Sequence, residues 1–528
     1  MWFARKKVPE SALYMWITAG VVFLLKSFFI LCTSIRGLSS TTWIIDDSLI
    51  EMKIAMNLGQ GHGFSLDGIH ATTGAPFLWI YLTSLNHMFL SLDAAIRATF
   101  IESTLFGALA TVVVFFIALK LTQDRRVAWT AFLLSTFTAN AFFEAMNGMD
   151  TALFTLLVLL GISTYLGVGR PAKWSHFSWG CIVGLVLGLT VMTRGDGIFL
   201  IISILCALLY EWWSGTAEER KGCAQMLMGI VLLSGLCFSV FMTWQLMQTG
   251  SPFPANQVGR RQLSLDFHHF SFDHFSLPAY VKIVLWNIFQ LQDLVTIATG
   301  GSLLVLAACV VGLFDKKMRM LSVVSVVYIG IFFTLLVAYQ WYFADLHGLR
   351  YINPAVHIFF IFVGYFLWQL PIGYGKKAAI IIIGLCLTIS ANYKHYQMCS
   401  RFRWAPAMSY IGRPDPVRNA AFWATIDWIH ANLPTGTILG VRDYGRVSLF
   451  TTVAIQDLAG NIDPAVSVAL QNSTLDAYLK ERHVEYLLIP TLEYRQDLLY
   501  QYLHSHLHLE PVAAAPKTEA ATLYKIIW

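Results

Sequence analysis

Two adjacent carboxylates, Asp46 and Asp47, follow the first long apolar stretch of this chain. Side by side, they point in different directions, so at most one of them does acid–base chemistry. The competing reading is an exposed loop, or a helix cap ahead of Ser48 to Gly59. Arg260-Arg261 and Arg350 carry guanidinium groups, whose forked donors suit phosphate oxygens. Basic residues at an interface also meet lipid headgroups. Arg194-Gly195-Asp196 lies between two short apolar runs and reads equally as an internal ion pair at a helical turn. The spacing of His268, His269 and His274 does not match a metal-binding helix. Hard oxygen ligands for a divalent cation are present, but two neighbouring aspartates do not make a site. No metal is assigned and no cofactor is required, with a divalent cation left open.

The elements that must position these residues are apolar. Of the 528 residues, 56% are hydrophobic and only 13% charged. An ordinary soluble domain carries about 25% charged residues. Disordered, coiled-coil and collagen-like chains are excluded, and a purely soluble enzyme is disfavoured. A net charge of +5, with no basic run interleaved with aromatics, sets nucleic acid aside. There is no CxxC, so neither a zinc site nor a disulfide framework is indicated. Arg5-Lys6-Lys7 ahead of a long apolar stretch reads as a retained signal anchor.

A helix needs about 20 apolar residues to cross roughly 30 Å of hydrocarbon. Eleven segments qualify: 12–35, 98–121, 127–145, 150–168, 178–193, 197–213, 226–247, 294–314, 321–343, 353–371 and 376–391. A further stretch, 75–92, is short and carries Asn86 and His87 in its middle. With eleven spans every basic loop falls on the cytoplasmic side, as the positive-inside rule asks. A twelfth span at 75–92 would invert every later loop. We therefore expect 75–92 to be a re-entrant or interfacial helix on the outer side. The alternative is that 75–92 crosses while 178–193 or 197–213 does not.

This topology sorts the scarce charges. Basic anchors stay in the cytoplasm, and carboxylates and arginines gather at the outer face, where charges near hydrocarbon usually mark function. The expected domains are a transmembrane module over 1–391, with outer loops 36–97 and 248–293, and an outer α/β domain over 392–528. In that domain Thr437 to Val441, Val453 to Ile455 and Tyr486 to Ile489 are strand-like. Asn419 to Asn432, Ser473 to Arg482 and Leu492 to His504 are helical. The alternation predicts a largely parallel sheet.

Several blocks resemble a known family. Asp46-Asp47-Ser48-Leu49-Ile50 leads to Ala55-Met56-Asn57-Leu58, Gly61-His62-Gly63-Phe64 and Thr73-Gly74-Ala75-Pro76-Phe77-Leu78-Trp79. This is similar to the first outer loop of GT-C class membrane glycosyltransferases, and among them to the bacterial cell-wall arabinofuranosyltransferases of the terminal β-(1→2) type. Asn147-Gly148-Met149-Asp150, Thr193-Arg194-Gly195-Asp196-Gly197, Ser251-Pro252-Phe253-Pro254-Ala255-Asn256 and Arg350-Tyr351-Ile352-Asn353-Pro354 follow in the family's order. So do Asp443-Tyr444-Gly445 and Asp457-Leu458-Ala459-Gly460 with Asp463-Pro464. Asp150 stands where the family has Glu, Gly195 where it has Pro and Ala75 where it has Ser.

The resemblance implies a polytopic α-helical fold with a C-terminal α/β domain, seated in a bacterial inner membrane with that domain outside. It implies a polyprenyl-phosphate sugar donor, arabinofuranose or a related sugar, and a glycan, lipid or surface-protein acceptor. Transfer through an oxocarbenium-like transition state needs a carboxylate beside the acceptor hydroxyl. That role falls to Asp46 or Asp47. Arg194, Arg260, Arg261 and Arg350 are the candidates to hold the leaving phosphate. Asp150, Asp196, His62 and Asn256 would orient substrate. The apolar groove beside 75–92 would hold the prenyl tail. The competing class is a transporter or flippase of lipid-linked sugars, whose sign would be inverted repeats with broken helices; no such halves are evident.

Overall fold

A computed structural model describes residues 10–39, 46–138, 144–255, 308–338, 349–399, 416–442, 445–490, 498–513, 515 and 521–528. The chain forms two compact units. One comprises Met1–Leu31, Phe100–Phe241 and Phe275–His395; the other comprises Cys32–Thr99, Met242–His274 and Tyr396–Trp528.

The described elements begin with α1 (Glu10–Cys32), α2 (Ile35–Ser39), α3 (Asp46–Gly59), α4 (Phe77–Phe89), α5 (Leu92–Thr122) and α6 (Arg125–Phe137). Next come α7 (Thr151–Tyr165), α8 (His176–Thr193), a 3₁₀ turn (Gly195–Gly197), α9 (Ile198–Ser214) and α10 (Ala217–Thr249). After these lie α11 (Arg319–Ala338), α12 (Leu349–Gln369) and α13 (Tyr374–Cys399).

Among the described residues five helical stretches are long and apolar enough to cross a membrane: Ala12–Cys32, Leu92–Thr122, His176–Thr193, Gly195–Ser214 and Ala217–Thr249. Thr151–Tyr165 and Arg319–Ile331 are shorter apolar helices. Of the other expected spans, 353–371 and 376–391 largely overlap α12 and α13, α6 covers only the first part of 127–145, and most of 294–314 lies outside the described residues.

The first unit's core is the cluster around Phe115, Phe132, Phe154, Leu187, Ile204 and Phe362. Helix α7 is apolar all round, and its residues are buried on every side apart from the half-buried Leu160 and Thr164. Such a helix belongs in the middle of a bundle. Helix α1 is different: Leu13, Ile17, Leu24 and Phe28 are exposed, while Met15, Ala19 and Ile30 are buried. With apolar residues on both faces, its outward face suits lipid. Glycines set one helix spacing. A Cβ at Gly184 of α8 would stand 2.6 Å from the Ile230 carbonyl of α10, and a Cβ at Gly229 would stand 2.5 Å from the Phe177 carbonyl. The two backbones touch along small residues, as membrane helices do.

In the second unit, α3 packs on α4. Helix α4 has 13 residues, about 20 Å at 1.5 Å per residue, too short for a hydrocarbon core of about 30 Å. The C-terminal elements are α14 (Pro416–Asn432), β1 (Ile438–Val441), α15 (Gly445–Phe450), β2 (Ala454–Asp457), α16 (Ala465–Gln471) and α17 (Leu475–Glu481). They end with β3 (Tyr486–Pro490), α18 (Leu498–His506), β4 (His508–Pro511) and β5 (Ala521–Ile527).

The sheet order is β2-β1-β3-β5-β4. β1 pairs in parallel with β2 and β3, and β5 pairs antiparallel with β3 and β4. The three strands expected from sequence are the parallel ones. The antiparallel pair at the edge was not expected, and neither were α15 and α16. Leu475, Leu479, Leu487, Leu503 and Ile526 form the core beneath the sheet.

Candidate active site

The candidate residues fall into two clusters, each described within its own unit. In the first unit the cluster forms where α7 begins and α8 ends. Gly148 has φ +72°, the left-handed conformation glycine takes at no steric cost. This turn lets the Asn147 Oδ1 accept the Met149 N–H at 2.9 Å while its Nδ2 donates to Glu144 Oε2 at 2.8 Å. Asp150 then precedes α7 at 1% exposure. Arg194 caps α8; its Nη1 donates to Asp150 Oδ2 at 3.5 Å and its Nε to Asp196 Oδ1 at 3.1 Å. The guanidinium lies 5.2 Å from the centre of the Phe154 ring.

One cation is thus shared by two carboxylates, the internal ion-pair arrangement that the sequence left open beside phosphate binding. The turn after it is tight: a Cβ at Gly197 would stand 2.8 Å from Thr190 backbone. Arg350 lies in the first turn of α12, and three residues on the buried Asn353 donates to Thr155 Oγ1 of α7 at 3.0 Å. Arg260, Arg261 and Asn256 lie outside the described residues.

In the second unit Asp46 and Asp47 open α3. Consecutive helical residues diverge by about 100°, so the two carboxylates have different surroundings. Asp46 reaches the start of α15: its Oδ2 accepts the Gly445 N–H at 2.7 Å and its Oδ1 accepts the Arg446 N–H at 3.3 Å. Desolvation pushes its carboxyl up to about 6. The Gly445 hydrogen bond and the charge of Arg446 oppose this rise, and the charge of Asp47 adds to it. Arg446 is 2% exposed, and burial holds it down to about 10. Asp47 is half-buried. Lys53, about two helical turns beyond Asp46 on α3, is lowered from its ordinary value by desolvation.

The loop after α3 is built by its own polar groups. Asn57 Nδ2 donates to the Ser65 and Leu66 carbonyls at 3.0 and 2.9 Å. His62 is exposed on the turn, between Gly61 and Gly63, both at positive φ. Further on, Thr72 Oγ1 donates to the Ile462 carbonyl at 3.0 Å and Thr73 Oγ1 accepts the Ala255 N–H at 3.1 Å. Gly74 packs against backbone, since a Cβ there would stand 2.5 Å from the Asn461 carbonyl. Asp457 shapes the partner loop, accepting N–H groups from Ala459, Ile462 and Asp463 at 2.6, 2.6 and 3.1 Å. Asp463 in turn accepts from Gln456 and Tyr478 at 2.8 and 2.6 Å and pairs with Arg482 at 3.6 Å. The Asp-Leu-Ala-Gly and Asp-Pro blocks are therefore a brace for the loop between α3 and α4. The sequence displayed these blocks without saying what they touch. Arg446 and Arg482 were missed, because nothing local marks them. Among the described residues no group of three or more His, Cys, Asp or Glu side chains could hold a metal.

Residues 82–249 match the family model described as dolichyl-phosphate-mannose-protein mannosyltransferase. No curated protein matches the chain by sequence. Among solved structures, ArnT from Cupriavidus metallidurans bound to undecaprenyl phosphate aligns with a TM-score of 0.56 at 12% identity, over 97% of each chain. The fold is that of the GT-C membrane glycosyltransferases. The Archaeoglobus fulgidus oligosaccharyltransferase, in a complex with Zn and sulfate, also has a TM-score of 0.56, at 14% identity over 89% of this chain and 68% of its own. The arabinofuranosyltransferase AftD from Mycobacteria aligns at a TM-score of 0.45 and 12% identity, over 97% of this chain and 40% of its own, too distant a likeness to carry an argument about the sugar. Each of these likenesses bears on the fold alone.

Proposed function

We propose that this chain is a GT-C glycosyltransferase of a bacterial inner membrane. It transfers a sugar, arabinofuranose or a related one, from a polyprenyl-phosphate donor to a glycan, lipid or protein acceptor outside the cytoplasm. The observation that carries the reading is the fold shared over 97% of both chains with a protein bound to undecaprenyl phosphate. The match of 82–249 to a family named for a dolichyl-phosphate sugar supports the same donor class.

Asp46 is the base of this reading. A general base works best with a pKa near the operating pH, and Asp46, oriented by two backbone amides, sits at about 6. It takes the proton of the acceptor hydroxyl as the acceptor oxygen bonds to the anomeric carbon. The bond from that carbon to the phosphate oxygen breaks, and its electron pair leaves with the polyprenyl phosphate. Arg260, Arg261 and Arg350 are assigned to the phosphate, where a guanidinium stabilises gathering charge without a proton transfer. Arg194, shared between Asp150 and Asp196, is assigned to bracing, as is the loop carrying His62; Asn256 is kept for the sugar.

The test is a proteoliposome assay with undecaprenyl-phosphate-linked pentoses and hexoses, reading released undecaprenyl phosphate and new glycoside. Release from at least one donor, abolished in Asp46→Asn, is expected. Movement of donor across the bilayer with no glycosidic bond formed would overturn the reading in favour of a transporter.

A further inference from the structure

The contact between Asp46 and α15 joins residues 399 positions apart in the chain. It is not a surface contact. Gly445 is buried, and a Cβ there would stand 2.6 Å from Asp46 Oδ1, so the carboxylate fills the space a side chain would take. Arg446 is also buried, with its guanidinium 6.0 Å from the centre of the Phe422 ring of α14. A buried guanidinium is costly unless a counter-charge accompanies it. Asp46 supplies one, and each group acts electrostatically on the other.

We infer that Arg446, carried by the C-terminal α/β domain, is a positioning residue for Asp46. Its backbone amide and that of Gly445 orient the carboxylate, and its buried charge keeps the carboxylate ionised. This deepens the reading of Asp46 as the base and rests on it. The domain is then part of the transfer machinery, whatever else it binds.

The direction of the effect follows from the charges around Asp46. Arg446 lowers its pKa and Asp47 raises it. The other titratable groups on α3 are Glu51 and Lys53. Helix α4, packed on α3, brings Tyr81 and His87, and the segment leading into α15 carries Arg442, Asp443 and Tyr444. Removing the positive charge of Arg446 leaves desolvation and Asp47 less opposed. The carboxylate then ionises only at higher pH.

The experiment is the pH dependence of undecaprenyl phosphate release, from pH 5 to 9, in wild type, Arg446→Met, Arg446→Lys and Asp46→Asn. In Arg446→Met the acidic limb is expected to move up by about one pH unit, with the rate largely restored at pH 8 to 9. Arg446→Lys keeps the charge and should hold the limb near the wild-type position. A residue that merely supports the fold would lower the rate at every pH without moving the limb. If Arg446→Met fails to fold, Arg446→Gln serves in its place. An unmoved limb in both neutral variants, with Asp46→Asn inactive, overturns this inference and leaves the base assignment standing. An active Asp46→Asn overturns both.

Discussion

The Asp46 carboxylate accepts the Gly445 N–H at 2.7 Å, and Gly445 has no room for a Cβ. The two facts together fix where the carboxylate can be. In Gly445→Ala the new methyl would stand 2.6 Å from Asp46 Oδ1, so carboxylate or helix must give. A misplacement of about 1 Å near reacting atoms costs on the order of a hundredfold in rate. We expect release of undecaprenyl phosphate to fall at least tenfold, against a loss of stability of about 1–3 kcal/mol from overpacking. An unchanged rate would mean that the position of Asp46 is immaterial to transfer.

Replacing Asp47 should move Asp46 in the direction opposite to replacing Arg446. The charge of Asp47 raises the pKa of Asp46, which lies at about 6. With Asp46 as base, the wild-type rate falls as pH drops through about 6. Asp47→Asn removes the repelling charge, so its acidic limb should move to lower pH with turnover retained. Loss of all turnover in Asp47→Asn, with a functional Asp46→Asn, would exchange the two roles.

Asp457 predicts a stability effect with a definite sign. It is 2% exposed, and burial lifts it to about 6 despite three backbone N–H groups that favour its ionised form. A folded pKa above the unfolded one contributes stability that is full below about pH 4 and is lost as pH rises through about 6. Wild type should therefore lose melting temperature across that window, and Asp457→Asn should show less of this slope. Its amide also turns a donor toward backbone donors, costing about 1–3 kcal/mol at all pH values. Equal slopes in the two proteins would show that Asp457 does not titrate in the fold.

What could be read in the sequence depended on how local its cause was. The strands at 438–441, 454–457 and 486–490 are short apolar runs bounded by turns, and a run of that kind names itself. β4 is four residues, mostly exposed, and takes its place only through β5. The pattern of His508 to Pro511 carries no signal of that partner. Asp46 and Asp47 could be seen as a carboxylate pair, but their separation into two environments depends on Gly445, at a distance no local pattern records. Arg194 shows the converse. The carboxylate two residues on was visible, and so was the ion-pair reading.

The helix spacing in the first unit gives a prediction with an internal control. A Cβ at Gly184 would stand 2.6 Å from the Ile230 carbonyl and 2.8 Å from its Cα, whereas Gly235 of α10 has nothing within 4 Å. Gly184→Leu should separate α8 from α10 and lower the melting temperature in detergent, at a cost of about 3 kcal/mol or more. Gly235→Ala should leave it unchanged or slightly raised, since alanine is the better helix former. Equal effects at the two positions would mean that the glycines act through backbone entropy and not through close approach.

Arg194 can be tested for bracing against phosphate binding. Its guanidinium lies 3.5 Å from Asp150 Oδ2 and 3.1 Å from Asp196 Oδ1, and Asp150 is 1% exposed. Arg194→Met leaves the buried Asp150 and the partly exposed Asp196 without that cation, and stranding a buried charge such as Asp150 typically costs about 3–5 kcal/mol. Asp150→Asn combined with Arg194→Met removes one charge of each sign and should recover much of that loss. If Arg194 is a brace, turnover returns along with melting temperature in the double variant, because the substrate never touched the guanidinium. If Arg194 holds the donor phosphate, stability returns while turnover stays low and the apparent KM for the lipid donor stays high. The present geometry, with both faces of the guanidinium fork turned to carboxylates, predicts the first outcome.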